Sequence, residues 1–180
     1  MCTIKYLSKH EYNRTMSTTK TELRQHLKQA RLALTDIELA AHSEAIIKQL
    51  KQAIDWSKVA SLHCYEPIAS LNEVDVSSFI SSLRAEYPNI EVYTPKQVNN
   101  TWQIPDTKFD VIIVPMLGFD PKTLHRIGYG GGYYDKFLAT QAWAQKIGVC
   151  FEQGKLVQIP AEPHDTPLNI IVTDQETYKK

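Results

Sequence analysis

The stretch VIIVPMLGFDPKTLHRIGYGGGYYDKFL (residues 111–138) holds the features that decide the fold of this chain. It opens with VIIVP (111–115), an apolar run typical of a strand that is covered on both faces of a sheet. It ends with YYDKFL (133–138), which begins a predicted helix. Between the two lie four glycines, at positions 128, 130, 131 and 132. A strand, a glycine-rich loop and a helix in this order predict an α/β domain with a ligand-binding loop beyond the end of a strand.

Outside this stretch, short apolar or β-branched segments alternate with helical patterns. The further predicted strands cover 59–65, 90–94, 146–150 and 169–173, and the predicted helices among the strands cover 76–87 and 133–145. Strands that alternate with helices predict a mainly parallel sheet with right-handed crossovers. We therefore expect one α/β domain of three layers over residues 17–180, a mainly parallel sheet flanked by helices.

Two helices are predicted ahead of the first strand. Thr19 and Glu22 have the spacing of a capping box, followed by an apolar stripe. Thr35 and Glu38 repeat that spacing ahead of a second helical pattern, over 37–54. The polar start of the chain has no such pattern, and we expect residues 1–16 to be a disordered extension.

Composition excludes several classes of protein. The 180 residues carry 20 basic and 20 acidic side chains and have a pI of about 7.0, so a nucleic acid or an anionic membrane is not an expected partner. No apolar run reaches membrane-spanning length. The three cysteines form no CxxC pair, which favours a reducing compartment over a disulfide scaffold. We expect a cytoplasmic protein that acts as a monomer.

The glycine loop is a candidate phosphate site. Glycines allow backbone N–H groups to converge on an anion, and the start of a helix adds partial positive charge. The loop matches neither GxxxxGK[ST] nor GxGxxG, because Tyr133 stands at the last position of the second pattern. A turn needed only for tight packing is the alternative. Four glycines preceded by Arg126, whose guanidinium can bind a phosphate with two donors, favour the phosphate interpretation.

Other residues near the loop leave two interpretations open. Lys20, Arg24, Lys28 and Arg31 recur along one face of the first helix, a pattern that usually marks a solvated surface. Asp135 stands in the first turn of the helix after the glycines, where an acid interacts favourably with the helix dipole or binds Mg²⁺ beside a phosphate. The adjacent tyrosines are equally compatible with stacking on a planar ligand and with packing in the core.

Several motifs occur together in an order that resembles one enzyme family. They are KTELR (20–24), NEVD (72–75), WQIP (102–105), GFD with HRIGYGGGYYDKFL (118–138) and IPAEPHD (159–165). The combination is similar to the 5-formyltetrahydrofolate cyclo-ligase family, also called 5,10-methenyltetrahydrofolate synthetase. The resemblance covers the chain from about residue 17 to its end.

The resemblance implies an α/β domain and an ATP- and Mg²⁺-dependent reaction. 5-Formyltetrahydrofolate and ATP would give 5,10-methenyltetrahydrofolate, ADP and phosphate. Transfer of the γ-phosphoryl group to the formyl oxygen would turn that oxygen into a leaving group, and N10 of the folate would then close the ring. Such a reaction depends on positioning and charge neutralisation more than on a protein nucleophile.

On the nucleotide side, the resemblance assigns Lys20 and Arg24 to the phosphates of ATP. The ATP cradle that it implies consists of Arg126, Gly128, Tyr129, Gly130, Gly131, Gly132, Tyr133 and Tyr134. Arg126 is also the residue with an implied catalytic role. Lys28 and Arg31 gain no role from the resemblance, and we predict that both are surface charges.

On the folate side, Glu73 corresponds to the acid that accepts N–H groups of the pterin. The implied folate wall consists of Trp102, Tyr129, Gly132 and Tyr133. Asp135 and Asp165 correspond to the carboxylates that bind Mg²⁺. Two alternatives remain: a related ATP-dependent enzyme for another pterin-like or thiamine-like substrate, and a non-enzymatic module that senses nucleotides or sugar phosphates.

Overall fold

The computed structural model describes residues 19–95, 97–98, 101–160, 162 and 165–179, and the predicted extension over 1–16 lies outside this part. Its α-helices are α1 (Lys20–Leu32), α2 (Asp36–Ala53), α3 (Ser77–Glu86) and α4 (Tyr133–Ala139). Its strands are β1 (Ser61–His63), β2 (Glu91–Tyr93), β3 (Gln97–Val98), β4 (Thr101–Trp102), β5 (Val111–Pro115), β6 (Gly118–Phe119), β7 (Arg126–Ile127), β8 (Gln145–Val149), β9 (Ile170–Val172) and β10 (Thr177–Lys179).

A six-stranded sheet with the order β10-β9-β8-β5-β1-β2 forms the centre of the fold. The neighbouring strands are parallel except at the edge, where β10 runs antiparallel to β9. All five strands predicted for this sheet are present, and the expected mainly parallel α/β architecture is confirmed. The two hairpins β3–β4 and β6–β7 and the edge strand β10 were not predicted. Each hairpin strand has two residues, too few for a visible periodicity.

Strand β5 shows how the sheet is covered on both faces. Val111 and Ile113 pack in the cluster that contains the buried side chains of α2 and α3. Ile112 and Val114 belong to the opposite cluster, with Phe137 of α4. Successive side chains of a strand point to opposite faces, so a continuous apolar run is required when helices cover both. The arrangement is the expected three-layer one.

Helix α1 lies apart from the two main layers. Both predicted capping boxes are present, at Thr19 with Glu22 and at Thr35 ahead of α2. The apolar stripe of α1, Leu23 and Leu27, packs with residues of the β6–β7 hairpin and of the segment after β8. This packing lays the charged face of α1 beside the glycine loop, which follows β7 directly.

Helix α4 is shorter than predicted. It ends at Ala139, whereas the sequence pattern extended the helix to residue 145. Gln141 is buried, and its side chain donates to the carbonyl of Thr107 and accepts from the amide of Phe109. These bonds bring the chain back to the sheet, so that β8 begins at Gln145. None of the helices in the described part is long and apolar enough to cross a membrane.

Candidate active site

A cavity of about 340 Å³ opens beyond the carboxyl ends of β1 and β5. Tyr65, two residues after β1, and Pro115, the last residue of β5, form part of its floor. The residues predicted for the site all line it: Lys20, Arg24, Glu73, Trp102, Arg126, Gly128, Tyr129, Gly130, Gly131, Gly132, Tyr133, Tyr134, Asp135 and Asp165. The fold therefore brings both predicted halves of the site into one cavity, at the edge where ligands bind in open α/β sheets.

The four loop glycines are of two kinds. Gly130 and Gly132 have φ angles of 93° and 69°, a range that side-chain-bearing residues rarely adopt. At Gly130 a Cβ would also lie 3.3 Å from the guanidinium carbon of Arg24. Gly128 and Gly131 lack positive φ angles, and a Cβ at either would meet no atom within 4 Å. The backbone conformation requires glycine at 130 and 132, whereas the bare backbone at 128 and 131 faces open space.

Helix α1 supplies two cations to the cavity. Nε of Arg24 donates to the carbonyl of Gly128 over 3.0 Å. One turn earlier, Nζ of Lys20 donates to Asp165 over 2.6 Å and to Glu162. Burial lowers the pKa of Lys20, but the bonds to Asp165 and Glu162 outweigh that effect and raise it overall. Lys20 is therefore fully charged at neutral pH, and its ammonium group is bonded to Glu162 and Asp165.

Arg126 is the deepest cation of the site, with a side chain that is 6% exposed. Nη1 donates to the carbonyl of Thr166 over 2.8 Å, and Nη2 donates to Oδ1 of Asp135. Burial lowers the pKa of Arg126, and the carboxylates of Asp135 and Asp165 oppose this shift. A guanidinium remains protonated in proteins, so Arg126 supplies a fixed positive charge whose partner is an acid of the same cavity.

The two candidate metal ligands are each paired with a cation. Asp135 accepts from Arg126, Asp165 accepts from Lys20, and both carboxylates attract Arg126. In the part of the chain that is described, no cluster of three or more His, Cys, Asp or Glu side chains could hold a metal ion. Mg²⁺ commonly takes one or two carboxylates and completes its shell with phosphate oxygens and water. The pair fits an ion that arrives with a phosphate ligand, and it does not form an all-protein metal site.

Glu73 also lines the cavity and is 6% exposed. Its Oε2 accepts the backbone N–H of Ile68 over 2.9 Å. Burial raises the pKa of Glu73, while the Ile68 amide and the positive charge of Arg31 oppose the rise. A carboxylate held in this way can accept N–H donors from a ring that enters the cavity.

Aromatic side chains form a further part of the cavity wall. The ring centroids of Trp102 and Tyr133 are 6.3 Å apart, and those of Tyr133 and Tyr134 are 5.0 Å apart with an edge-to-face geometry. The hydroxyl of Tyr133 donates to the carbonyl of Gln103, and burial raises the pKa of Tyr133 to about 12. Trp102 is 38% exposed and lines the cavity, whereas Tyr134 also packs against a core cluster.

The prediction that Arg31 is a surface charge was wrong. Arg31 is 6% exposed, and its guanidinium carbon lies 5.2 Å from the centre of the Tyr129 ring. Lys28, the other charge of the row, lies 5.1 Å from the same ring and is half-buried. Spacing along a helix cannot show this burial, because it depends on how the segment around Glu73 packs against the end of α1. The cavity residues that were not predicted are Tyr65, Glu66, Ile68, Leu71, Pro95 and Pro115.

Comparison with known proteins agrees with this geometry. The model of the 5-formyltetrahydrofolate cyclo-ligase family matches residues 77–174. The 5-formyltetrahydrofolate cyclo-ligase of Mycoplasma pneumoniae is 33% identical over 171 residues, which cover 87% of this chain and 99% of that protein. These matches confirm the family that the motifs predicted.

Solved structures of the family are similar as well. A 5,10-methenyltetrahydrofolate synthetase from Mycoplasma pneumoniae superposes with a TM-score of 0.75 and 28% identity, covering 88% of this chain and 100% of that one. The 5,10-methenyltetrahydrofolate synthetase of Aquifex aeolicus gives a TM-score of 0.72 and 25% identity, over 89% and 92% of the two chains. The chain belongs to the 5-formyltetrahydrofolate cyclo-ligase family.

Proposed function

We propose that this chain converts 5-formyltetrahydrofolate and ATP into 5,10-methenyltetrahydrofolate, ADP and phosphate in the cavity described above. Family membership supports the reaction. The observation that carries the assignment to this cavity is that a cationic glycine loop and a buried acid with aromatic neighbours line a single space. The first half suits a triphosphate, and the second half suits a planar ring with N–H donors.

The formyl group has to be activated before the ring can close. The formyl oxygen attacks the γ-phosphorus of ATP, and the bond from that phosphorus to ADP breaks. N10 then attacks the formyl carbon, its proton passes to solvent, and the carbon–oxygen bond breaks as phosphate leaves. In this scheme Lys20, Arg24 and Arg126 neutralise charge on the phosphates, and the amides of the glycine loop position them.

The glycines at 128 and 131 support this assignment of the loop. Neither has a positive φ, and neither has a neighbour that a methyl group would displace. The fold alone therefore accepts alanine at both positions. A ligand that lies directly on the backbone accounts for glycine there, since any side chain would hold the ligand away from the amides.

The paired charges of the site have a role in nucleotide binding. Phosphate oxygens compete with Asp165 for Lys20 and with Asp135 for Arg126, so that binding transfers the cations from carboxylates to phosphates. The released carboxylates would hold Mg²⁺, which supplies further neutralisation of the transferred phosphoryl group. Until ATP arrives, the same acids keep the cations charged and in place.

On the folate side, Glu73 orients the substrate. Its carboxylate accepts N–H donors of the pterin, and the aromatic wall of Trp102 and Tyr133 stacks on the ring. This places the substrate between Glu73 and the phosphate loop. The absence of nucleic-acid and membrane partners, the monomeric state, the cytoplasmic location and the extension over 1–16 stay predictions.

The direct test of function mixes the purified protein with ATP, Mg²⁺ and 5-formyltetrahydrofolate and follows the absorbance of the methenyl product. We expect one phosphate released per methenyl group formed. If fresh 5-formyltetrahydrofolate gives no methenyl product but another pterin supports ATP hydrolysis, the protein is instead a related ATP-dependent enzyme for another pterin-like substrate. Failure to bind ATP at all would favour the non-enzymatic module.

A further inference from the structure

A buried cation stands behind the cavity wall. Arg31 lies on α1, seven positions after Arg24, and is 6% exposed although it does not line the cavity. Its Nε is buried and has no hydrogen-bond partner among the residues that the structure describes. Burial lowers the pKa of Arg31, and Glu73 is the largest of the influences that oppose this. Burying the charge of Arg31 is costly, and an apolar side chain would pack at this position without that cost. The buried charge therefore suggests that Arg31 has a role beyond packing.

Arg31 contacts the glycine loop through Tyr129. The guanidinium carbon lies 5.2 Å from the centre of the ring, within the range of a cation–π interaction. The Tyr129 hydroxyl is buried and has no partner among the described residues. The position of this side chain therefore depends on contacts of the ring, which include the cation–π contact with Arg31. Tyr129 itself lines the cavity between two loop glycines.

Arg31 is also attached to the segment that carries Glu73. The backbone carbonyl of Arg31 accepts from Nδ2 of Asn72, the residue immediately before Glu73, over 3.3 Å. The same Nδ2 donates to the carbonyl of Leu34 over 3.2 Å, so Asn72 caps the end of α1. Asn72 has a φ of 46°, a conformation that asparagine tolerates better than most residues. The backbone of Arg31 is thus bonded to the residue beside Glu73, and its side chain attracts Glu73 electrostatically.

We propose that Arg31 is a positioning residue for this reaction: its guanidinium packs on the Tyr129 ring, its backbone binds Asn72 next to Glu73, and its charge attracts the Glu73 carboxylate, which together align the phosphate loop with the acid that receives the pterin. The inference rests on the proposed role of Glu73. It assigns α1 a function at both ends, since Lys20 and Arg24 lie at the nucleotide side and Arg31 lies at the folate side. Arg31 acts through Glu73 and Tyr129 and touches neither substrate.

A double-mutant cycle tests the proposal, with Arg31→Met, Glu73→Gln and the double variant compared in KM for each substrate. We expect Arg31→Met to raise KM for 5-formyltetrahydrofolate by roughly ten- to a hundredfold, the range for a misplaced charged hydrogen-bond acceptor. KM for ATP should stay within about threefold. In the double variant the folate KM should equal that of Glu73→Gln alone, because Arg31 has no carboxylate left to position.

The pH profile gives a readout that general loss of packing would not change. The groups that face Glu73 are Arg31, Tyr65 and Tyr134, together with the Ile68 amide. Of the side chains, Arg31 carries the positive charge, and its removal raises the pKa of Glu73. The acidic limb of kcat/KM for the folate should therefore move to higher pH in Arg31→Met. Arg31→Lys, which retains a charge, should restore part of the shift.

Lys28→Met is the matched control, because Lys28 contacts the same ring but does not contribute to the pKa of Glu73. It should leave the pH profile of kcat/KM for the folate unchanged. If Glu73→Gln lowers folate binding but the two losses add in the double variant, the Arg31 proposal is wrong. If Glu73→Gln leaves the folate KM unchanged, the proposed role of Glu73 fails first. Should Arg31→Met not fold, the same cycle with Arg31→Gln, which also lacks the charge, provides the test.

Discussion

Lys20 and Asp165 are 145 positions apart in the chain, and Nζ of one lies 2.6 Å from Oδ2 of the other. The side chains of both residues are largely buried beside the cavity. The ion pair joins the first turn of α1 to the segment before β9, and it neutralises a cation that we assign to ATP. In the proposed mechanism, nucleotide binding replaces Asp165 by a phosphate as the partner of Lys20.

Loss of the Lys20 cation should weaken the binding of ATP more than the binding of the folate. For Lys20→Met we expect KM for ATP to rise about tenfold or more, as removal of a charge-assisted bond to phosphate implies. The folate KM should change little, because Lys20 is bonded to Glu162 and Asp165 and is not among the charges that act on Glu73. Steady-state kinetics with each substrate varied in turn measures both values. Lys28→Met, on the same helix but outside the cavity lining, is the control.

Arg126 should contribute to the chemical step. Replacing it with alanine removes a buried guanidinium that faces Asp135, and we expect a loss of about 2–4 kcal/mol in transition-state stabilisation. This corresponds to a decrease of roughly 30- to 1,000-fold in kcat/KM for ATP. Arg84→Ala, a change at an exposed arginine of α3, serves as the control for loss of an arginine. An unchanged kcat/KM in Arg126→Ala would exclude the proposed role.

The two kinds of loop glycine should respond differently to substitution. Gly131→Val places its side chain in open space, so the protein should stay folded with a Tm within about 2 °C of wild type, while ATP affinity falls about tenfold or more. In contrast, Gly130→Ala should lower stability, because of the φ of 93° and the close Arg24 guanidinium. Thermal unfolding and calorimetric titration with ATP separate the two effects. Loss of folate affinity alone in Gly131→Val would mean that the loop is misassigned.

His63 should make stability depend on pH. It is 0% exposed in an aromatic cluster, neither ring nitrogen has a partner among the described residues, and burial lowers its pKa from 6.5 to about 4. Between these values the unfolded chain binds a proton at His63 that the folded protein does not bind. The contribution of His63 to the free energy of unfolding is therefore constant above about pH 6.5 and decreases as the pH falls towards 4. At pH 4.5 the loss should reach about 2–3 kcal/mol.

Urea unfolding at pH 7.5 and pH 4.5 measures this effect, with His63→Phe as the comparison. The phenylalanine variant retains an aromatic ring among Tyr93, Phe109 and Phe137 but cannot take up a proton. Its stability should fall less over the same pH interval. An equal fall in both proteins would assign the acid sensitivity to other groups.

Much of the fold and of the site follows from local patterns. The run at 111–115 and the capping box at Thr19 depend on neighbours in sequence, and both predictions are confirmed. The cavity position follows because loops after parallel strands meet at one edge of the sheet. The burial of Arg31 and the early end of α4 at Ala139 depend on contacts between distant segments, which periodicity does not contain.

In the proposed mechanism, the backbone of residues 128–132 holds the triphosphate of ATP. A crystal structure of the protein with a non-hydrolysable ATP analogue and Mg²⁺ would show whether it does. We predict phosphate oxygens within hydrogen-bonding distance of the amides of Gly128 and Gly131, with Lys20 and Arg126 turned from their carboxylates towards the phosphates. A nucleotide bound at another surface, with this loop and both ion pairs unchanged, would contradict the account.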